Sequence, residues 1–415
     1  MMQYYKGNET GQIPGVLPNP YYWWEAGAMF EQMIEYWYFT KDSTYNDIVT
    51  QGLLAQAGTD SDYMPINQTK DEGNDDQAFW AFAVLSAAEL KYPDPPPSQP
   101  QWLALAQAVF NRQIIRWDTQ TCGGGLRWQI FSFNDGYNYK NAISNGGFFL
   151  LAARLARHTN NSTYADWANT IYDWCAQSPL ISSDYKVFDG SSTLKNCSDA
   201  DHDLWTYNYG VFLAGSAYMY NYTNGSSVWR DRVSGFTTRT LEDFFPQANG
   251  SGNIMVEVHC EATNNCNVDQ PSFKAYLSRW MATTAQLAPF TYPLIMPKLR
   301  TSAQGAAGQC SRGSGGITCG RRWYQSAWDG SSGVGEQMSA LSIIQNVLID
   351  TVPPPVGAST GRTSVGNPSA GTGFTRQDTI DGPPATKGDR AAAGILTVLL
   401  LSSTLAGAWF LFNDE

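Results

Sequence analysis

The residues best placed to do chemistry are an adjacent pair of acids, Asp75 and Asp76, within Asp71-Glu72-Gly73-Asn74-Asp75-Asp76-Gln77-Ala78-Phe79-Trp80. A long apolar run of helical character starts directly after them. Asn74 suits the N-cap, because its side-chain oxygen can accept an orphan backbone N–H of the first turn. Acids in that turn are favoured by the helix dipole, so capping alone accounts for such a pair. The sharper reading is catalytic. Successive helical residues point about 100° apart, so neighbouring carboxylates share one cavity only at an exposed helix end. Retaining glycoside cleavage uses two carboxyl groups about 5–5.5 Å apart, a separation that adjacent side chains on one turn can reach.

The elements that must hold such a pair are helical. The chain has 415 residues, 43% of them hydrophobic and 15% charged. Apolar residues recur at three- and four-residue spacing, as in Phe148, Leu151, Leu155 and Ala156, and strand-like alternation is rare. Helices are expected near 22–39, 43–57, 75–91, 99–117, 142–158, 163–177, 203–220, 227–244, 271–287, 292–306 and 335–350. With Met1–Lys6 read as the end of a further, truncated helix, they make six hairpins. That count fits an all-α fold, an (α/α)6 barrel over residues 1–350, with its active site where loops and helix ends of one face converge.

Beyond the barrel the composition changes. Residues 351–390 are rich in Pro, Gly, Ser and Thr and read as a disordered stalk. Ala391–Phe412 is apolar, long enough to span a bilayer, and followed only by Asn413-Asp414-Glu415. Because no basic residues follow, 391–415 reads as a cleaved GPI-attachment signal. The attachment point is expected near Asp381-Gly382 or Ser369-Ala370-Gly371. No signal peptide is visible at the N-terminus.

A net charge of −11 and a pI near 4.8 exclude a nucleic-acid partner, since no basic stripe exists to neutralise phosphates. Eight N-x-S/T sequons, at Asn8, Asn67, Asn160, Asn161, Asn196, Asn221, Asn224 and Asn249, point to the secretory pathway. The seven cysteines agree with that compartment. Cys260 with Cys266, Cys310 with Cys319, and Cys175 with Cys197 are the expected pairs, leaving Cys122 over. His158, His202 and His259 are scattered and no zinc spacing occurs, so neither metal nor cofactor is expected.

Several motifs together carry a family resemblance: Tyr21-Tyr22-Trp23-Trp24-Glu25-Ala26-Gly27, Glu72-Gly73-Asn74-Asp75-Asp76-Gln77, Cys122-Gly123-Gly124-Gly125-Leu126-Arg127-Trp128, Asn141-Ala142-Ile143-Ser144-Asn145-Gly146 and Thr206-Tyr207-Asn208-Tyr209-Gly210. From about Tyr4 to Asp350 the chain resembles glycoside hydrolase family 76, most of all its fungal branch of GPI-anchored, mannan endo-1,6-α-mannosidase-like wall proteins. The resemblance implies retaining cleavage of α-1,6-mannosidic bonds, with Asp75 as nucleophile and Asp76 as general acid/base. It further implies an α-mannoside or GPI-glycan donor, a β-glucan acceptor and a GPI-anchored, N-glycosylated place at the plasma membrane and wall. Like charges this close push their pKa values apart, which suits one ionised and one protonated acid.

Other candidate site residues follow from position. Trp23 and Trp24 open a helix at a barrel end and are candidates for sugar stacking. Asp60 and Asp62 precede the acidic stretch and either bind mannose hydroxyls or serve loop turns. Arg127 and Trp128 follow Gly123–Gly125, which lacks the Lys-Ser/Thr of a phosphate loop. Asn145, Tyr207 and Asn208 open helices on the same face, as do Asp269, Phe273 and Lys274; Trp323 and Trp328 precede the last helix. A monomer is expected. The competing function is a catalytically idle mannan- or GPI-glycan-binding wall protein.

Overall fold

Each apolar period found in the sequence becomes one helix, broken where Gly, Pro, Asn or Asp intervene. The computed structural model describes residues 1–68, 71–249, 251–375 and 387–413. Its helices are α1 (Trp23–Thr40), α2 (Asn46–Ala55), α3 (Asn74–Glu89), α4 (Trp102–Arg116), α5 (Ala142–Thr159), α6 (Ser162–Gln177), α7 (Thr206–Tyr222), α8 (Ser227–Phe244), α9 (Phe273–Leu287), α10 (Tyr292–Gln309), α11 (Val334–Asn346) and α12 (Lys387–Asn413).

Burial sorts them into two rings. α3 and α5 are buried on nearly every face, whereas α6 buries one stripe through Tyr164, Ala168, Ile171, Tyr172 and Cys175, the pattern of a helix with water on its other side. The odd-numbered helices touch in a closed circle, α1–α3–α5–α7–α9–α11–α1, and α2, α4, α6, α8 and α10 pack outside them. This is the (α/α)6 barrel. Its lumen is plugged by rings: Trp24 lies 4.6 Å from Phe79, Phe79 lies 4.9 Å from Tyr276, and Phe82 meets Trp280 edge-on at 6.0 Å. Gln113, late in α4, donates to the carbonyl of Asn74, the first residue of α3 (2.8 Å). Inner and outer helices are therefore antiparallel, and all inner helices start at one end of the barrel.

Short antiparallel strands dress that end: β1 (Tyr139–Asn141), β2 (Gly190–Ser192) and β3 (Ala200–Asp201) form one sheet, with Tyr139 opposite Ser192 and Gly190 opposite Asp201. β4 (Cys310–Arg312) and β5 (Thr318–Cys319) form another.

Four expectations are corrected. Met2–Tyr4 is a single 3₁₀ turn rather than a helix end. The N-cap of α3 is Gly73, not Asn74; the backbone of 73–74 is claimed by the loop 127–129, which fixes the helix start one residue earlier. Cys122, not Cys175, joins Cys197, because Cys175 faces the core from the buried stripe of α6; Cys260–Cys266 and Cys310–Cys319 form as expected. Finally, 352–374 is not a free stalk. It is strapped to the barrel by hydrogen bonds such as Val356 N–H to Glu89 O (2.8 Å) and Asn367 N–H to Gln107 Oε1 (2.6 Å). Of the two expected attachment points, Ser369–Gly371 belongs to this strap and Asp381-Gly382 lies outside the described residues. α12 contains an apolar stretch, Arg390–Gly407, of mean hydropathy 1.5 with none of it buried.

Candidate active site

The starts of α1, α3, α5, α7 and α9, with the loops before them, enclose a cavity of about 490 Å³. Asp75 and Asp76 line it from the first turn of α3. Their placement follows from a clamp on the preceding backbone. Gly73 bridges to Gln129, Asn74 N–H donates to Trp128 O (2.9 Å), and Asn74 Nδ2 donates to Arg127 O (2.8 Å). Asp76 reaches back to accept the Gly73 N–H at 2.6 Å, which satisfies one orphan donor of the helix start. Gly73 is required by close approach. A Cβ there would stand 2.3 Å from Asp75 Oδ1 and 3.2 Å from Asp76 Oδ2.

Six acids line the cavity: Asp71, Glu72, Asp75, Asp76, Asp189 and Asp269. No Lys, Arg or His is among its described lining residues. Burial disfavours the charge on Glu72, Asp75, Asp76, Asp189 and Asp269. Asp75 is held well above the carboxylate range, first by burial and then by Asp76. Asp76 is pushed up to about 6 by burial, restrained by the Gly73 N–H and raised further by Asp269. Glu72, Asp189 and Asp269 are all raised by burial. Burial and the closeness of the two carboxyls thus hold both aspartates above the ordinary carboxylate range. Inner helices aimed N-terminus first at the cavity supply the partial positive charge that the lining lacks.

An aromatic wall faces the acids. Tyr207 and Phe273 stack with centroids 3.9 Å apart and planes 7° apart, and Trp205 meets Phe273 edge-on at 5.6 Å. Of the sequence candidates, Trp23, Trp24, Trp128, Tyr207, Asp269 and Phe273 join the aspartate pair in the lining. Trp23 shows the cavity little of its ring, which stacks on Trp80 and donates Nε1–H to Gln56 (2.8 Å).

Eight candidates do not line the cavity. Asp60 is exposed in the loop before α3. Asp62 is buried in an ion pair with Arg112 Nε (2.5 Å). Arg127 clamps its own loop through Asp118, the Tyr137 carbonyl and Asn138. Asn145 brackets Leu126, accepting its N–H and donating to its carbonyl. Asn208 stands behind Asp189, to which it donates at 3.2 Å. Lys274 pairs with Glu261 (2.6 Å) and lies 3.6 Å over the buried Trp323 ring. Trp328 donates to Ser331 O at 2.9 Å.

The sequence reading missed Asp189, Tyr139, Asn141 and Trp205. Tyr139 O–H donates to Asp189 Oδ2 at 2.9 Å, so the carboxylate arrives already oriented. The loops 117–141 and 178–205 that deliver these residues are joined by the Cys122–Cys197 disulfide and by β1–β2. Beneath them Lys140 Nζ donates to the carbonyls of Asp118, Thr121 and Gly124 at 3.0, 2.8 and 2.5 Å. Of these four only Asn141, which heads one of the quoted motifs, carried a local signal.

Comparison with known proteins agrees with this architecture. Residues 1–359 match glycosyl hydrolase family 76. Mannan endo-1,6-alpha-mannosidase DCW1 of Saccharomyces cerevisiae is 49% identical over 99% of this chain and 91% of that protein. DFG5 of the same organism, also named a mannan endo-1,6-alpha-mannosidase, is 43% identical over 99% of this chain and 90% of its own length. Among solved structures, Dfg5 from Chaetomium thermophilum in complex with glucosamine superposes with a TM-score of 0.85 at 44% identity, covering 89% of this chain and 92% of that one. An inactive alpha-1,6-mannanase variant of Salegentibacter sp. in complex with alpha-1,6-mannotriose shares the fold, with a TM-score of 0.66 at 17% identity over 81% of this chain and 94% of that one. The chain is a glycoside hydrolase and belongs to glycosyl hydrolase family 76.

Proposed function

We propose that the chain is a retaining glycosidase and transglycosylase for α-1,6-mannosides, working at the membrane and wall on the mannose core of GPI glycans. The observation that carries this is the placing of Asp75 and Asp76, side by side, in the lining of a large acidic cavity. Asp75 attacks the anomeric carbon, forming an ester as the glycosidic C–O bond breaks, and Asp76 gives its proton to the leaving oxygen. In the second step Asp76 takes the proton of an entering hydroxyl, whose oxygen displaces Asp75. Water as the entering group gives hydrolysis; a β-glucan hydroxyl gives transfer. With the donor bound the nucleophile must be ionised and the acid protonated, and a leaving oxygen that accepts a hydrogen bond from Asp76 favours the proton on Asp76.

A donor that contains an unacetylated amino sugar, as a GPI core does, suits a lining of six acids without a cation. The Chaetomium relative's complex with glucosamine, a cationic sugar, supports the same reading. The exposed position of seven of the eight sequon asparagines supports passage through the secretory pathway, and α12 suits a membrane-attachment signal.

The test is product analysis by mass spectrometry, with an α-1,6-mannobiosyl or GPI-core donor and with or without a laminari-oligosaccharide acceptor. The chain lacking 391–415 is compared with its Asp75→Asn and Asp76→Asn variants. A donor–acceptor adduct made only by the unsubstituted chain is the expected result, and free mannosides alone would limit the function to hydrolysis. Saturable binding without turnover, kept by both variants, would leave a wall lectin.

A further inference from the structure

After α11 the chain crosses the end of the barrel opposite the cavity and then turns back. Tyr38 O–H donates to Pro353 O (2.8 Å), Arg157 to Pro355 O (2.8 Å), and Val356 N–H to Glu89 O (2.8 Å), all where inner helices finish. From there the strap climbs α4 in the helix's own direction. Leu103 N–H donates to Ser364 Oγ (3.0 Å), and Asn367 N–H donates to Gln107. Asn111 Nδ2 donates to Pro368 O (2.9 Å) and Ala370 O (2.7 Å). The climb ends with the Phe374 ring centroid 3.4 Å from the Arg112 guanidinium carbon. Arg112 holds Asp62, whose carbonyl accepts from Gln77, the residue after Asp76. The strap thus returns the chain to the cavity end.

This placement sets how far the tether reaches. From Thr375 to the expected attachment point at Asp381-Gly382 about seven residues remain, which span at most ~25 Å. A stalk free from Pro353 to the same point would span ~100 Å. The loops at the cavity end also hold exposed apolar side chains, Ile66 (87%), Phe133 (63%), Leu194 (80%) and Ile317 (60%), of the kind that settle into a lipid interface.

We infer that the strap turns the cavity toward the bilayer to which the chain is tethered, so that the cavity face meets the membrane surface and takes glycans rooted in that membrane. The inference rests on the tether proposed above and not on the cleavage chemistry. A glycan at Asn67, beside Ile66, would hold the face a short way off the lipid without turning it.

The test uses the GPI-anchored chain in phosphatidylcholine vesicles, with a dye on Ile66→Cys at the cavity end or on Leu348→Cys at the other, and an acceptor dye on the lipid. Buried Cys175 is sheltered from the labelling reagent. Strong energy transfer from position 66 and weak transfer from 348 is expected. The triple variant Ser364→Ala, Asn367→Ala, Phe374→Ala should equalise the two. It should also keep its rate on a soluble α-1,6-mannobioside within twofold while losing at least fivefold on a vesicle-borne mannoside. Equal or reversed transfer in the unaltered strap, or equal loss on both donors, overturns the inference. Vesicle flotation reads the tether separately: a chain that does not float removes the tether and the inference together.

Discussion

The barrel gathers two sets of acids, one at each end, and they differ in what faces them. At the cavity end Asp71, Glu72, Asp75, Asp76, Asp189 and Asp269 line an opening with no described cation among its lining residues. At the far end Glu31, Glu35 and Glu89 meet Arg154 and Arg279. Arg154 NH2 lies 2.8 Å from Glu89, Arg279 Nε lies 2.9 Å from Glu35, and both guanidiniums reach Glu31. Ser86, Gln345 and Tyr218 complete the second set with hydrogen bonds to Glu31, Glu35 and Glu89. One helix supplies both, since α3 begins with the aspartate pair and ends with Glu89, while α1 adds Glu31 and Glu35 to the second set. Burial of charge is offset by guanidinium at one end and by retained protons and helix N-termini at the other. The paired set fixes helices; the cavity set has no described cation among its lining residues to hold its charge.

The largest effect that could break this comparison is at the aspartate pair. Asp75→Asn and Asp76→Asn are each expected to lower turnover about 10³-fold or more. Neither should lower the melting temperature, because each replaces a buried carboxylate that has no counter-ion. Turnover that survives both changes would remove the distinction between the two ends. Arg279→Met at the far end should do the reverse. It strands Glu35 and leaves Glu31 with Arg154 alone, which costs about 3–5 kcal/mol, read by urea unfolding, while the folded fraction keeps its turnover within twofold.

Glu25 sharpens the contrast from beneath the cavity. It is fully buried at the start of α1, accepts the Tyr22 N–H (2.8 Å), and is pushed up to about 9 by burial, with Asp269 and Glu336 adding to the rise. The native state therefore keeps a proton that the unfolded chain loses above about 4.5. Its contribution to stability is full below that pH and is lost as pH rises toward 9. Glu25→Gln does not titrate, so it should flatten the fall in stability between pH 5 and pH 8 and gain about 1–3 kcal/mol at the upper end. Denaturant midpoints at the two pH values measure this, and an unchanged slope would count against a protonated Glu25.

The helices were legible because each has its own period, and Asp75 and Asp76 were legible because a helix N-terminus is written locally. Trp24, Tyr207 and Phe273 followed from the same reasoning, since they too stand at helix starts. Asp62 and Lys274 looked alike in sequence and went elsewhere, because Arg112 and Glu261, 50 and 13 residues away in the chain, claim them. Asp189 and Tyr139 were invisible for the converse reason: a disulfide and a three-residue strand pairing bring their loops together. Cys175 shows the limit of spacing as a guide. Its distance from Cys197 suits a disulfide, yet its position on the apolar stripe of α6 points the thiol inward. The strap is the largest departure, since Pro, Gly, Ser and Thr bias a chain against building its own core but do not stop it hydrogen-bonding to an existing one.

The smallest expected effect tests whether the cavity acids sense one another. Asp76 begins to ionise at about 6, and the charge of Asp269 is one cause of that elevation after burial. A pair that works with one proton between its two carboxyls becomes active as the first proton leaves, so the acid limb of kcat/KM should fall near pH 6, above the ordinary carboxylate range. This holds whichever aspartate is the nucleophile, because the limb reports the pair. Asp269→Asn removes a negative neighbour, makes the first ionisation easier, and should move the acid limb down by about half a pH unit. Were Asp269 only a holder of a sugar hydroxyl, the same substitution would instead raise KM at every pH and leave the limb in place. A limb that moves upward would show that Asp269 does not bear its charge against Asp76, and the unpaired set would then be a collection of separate acids rather than one coupled site.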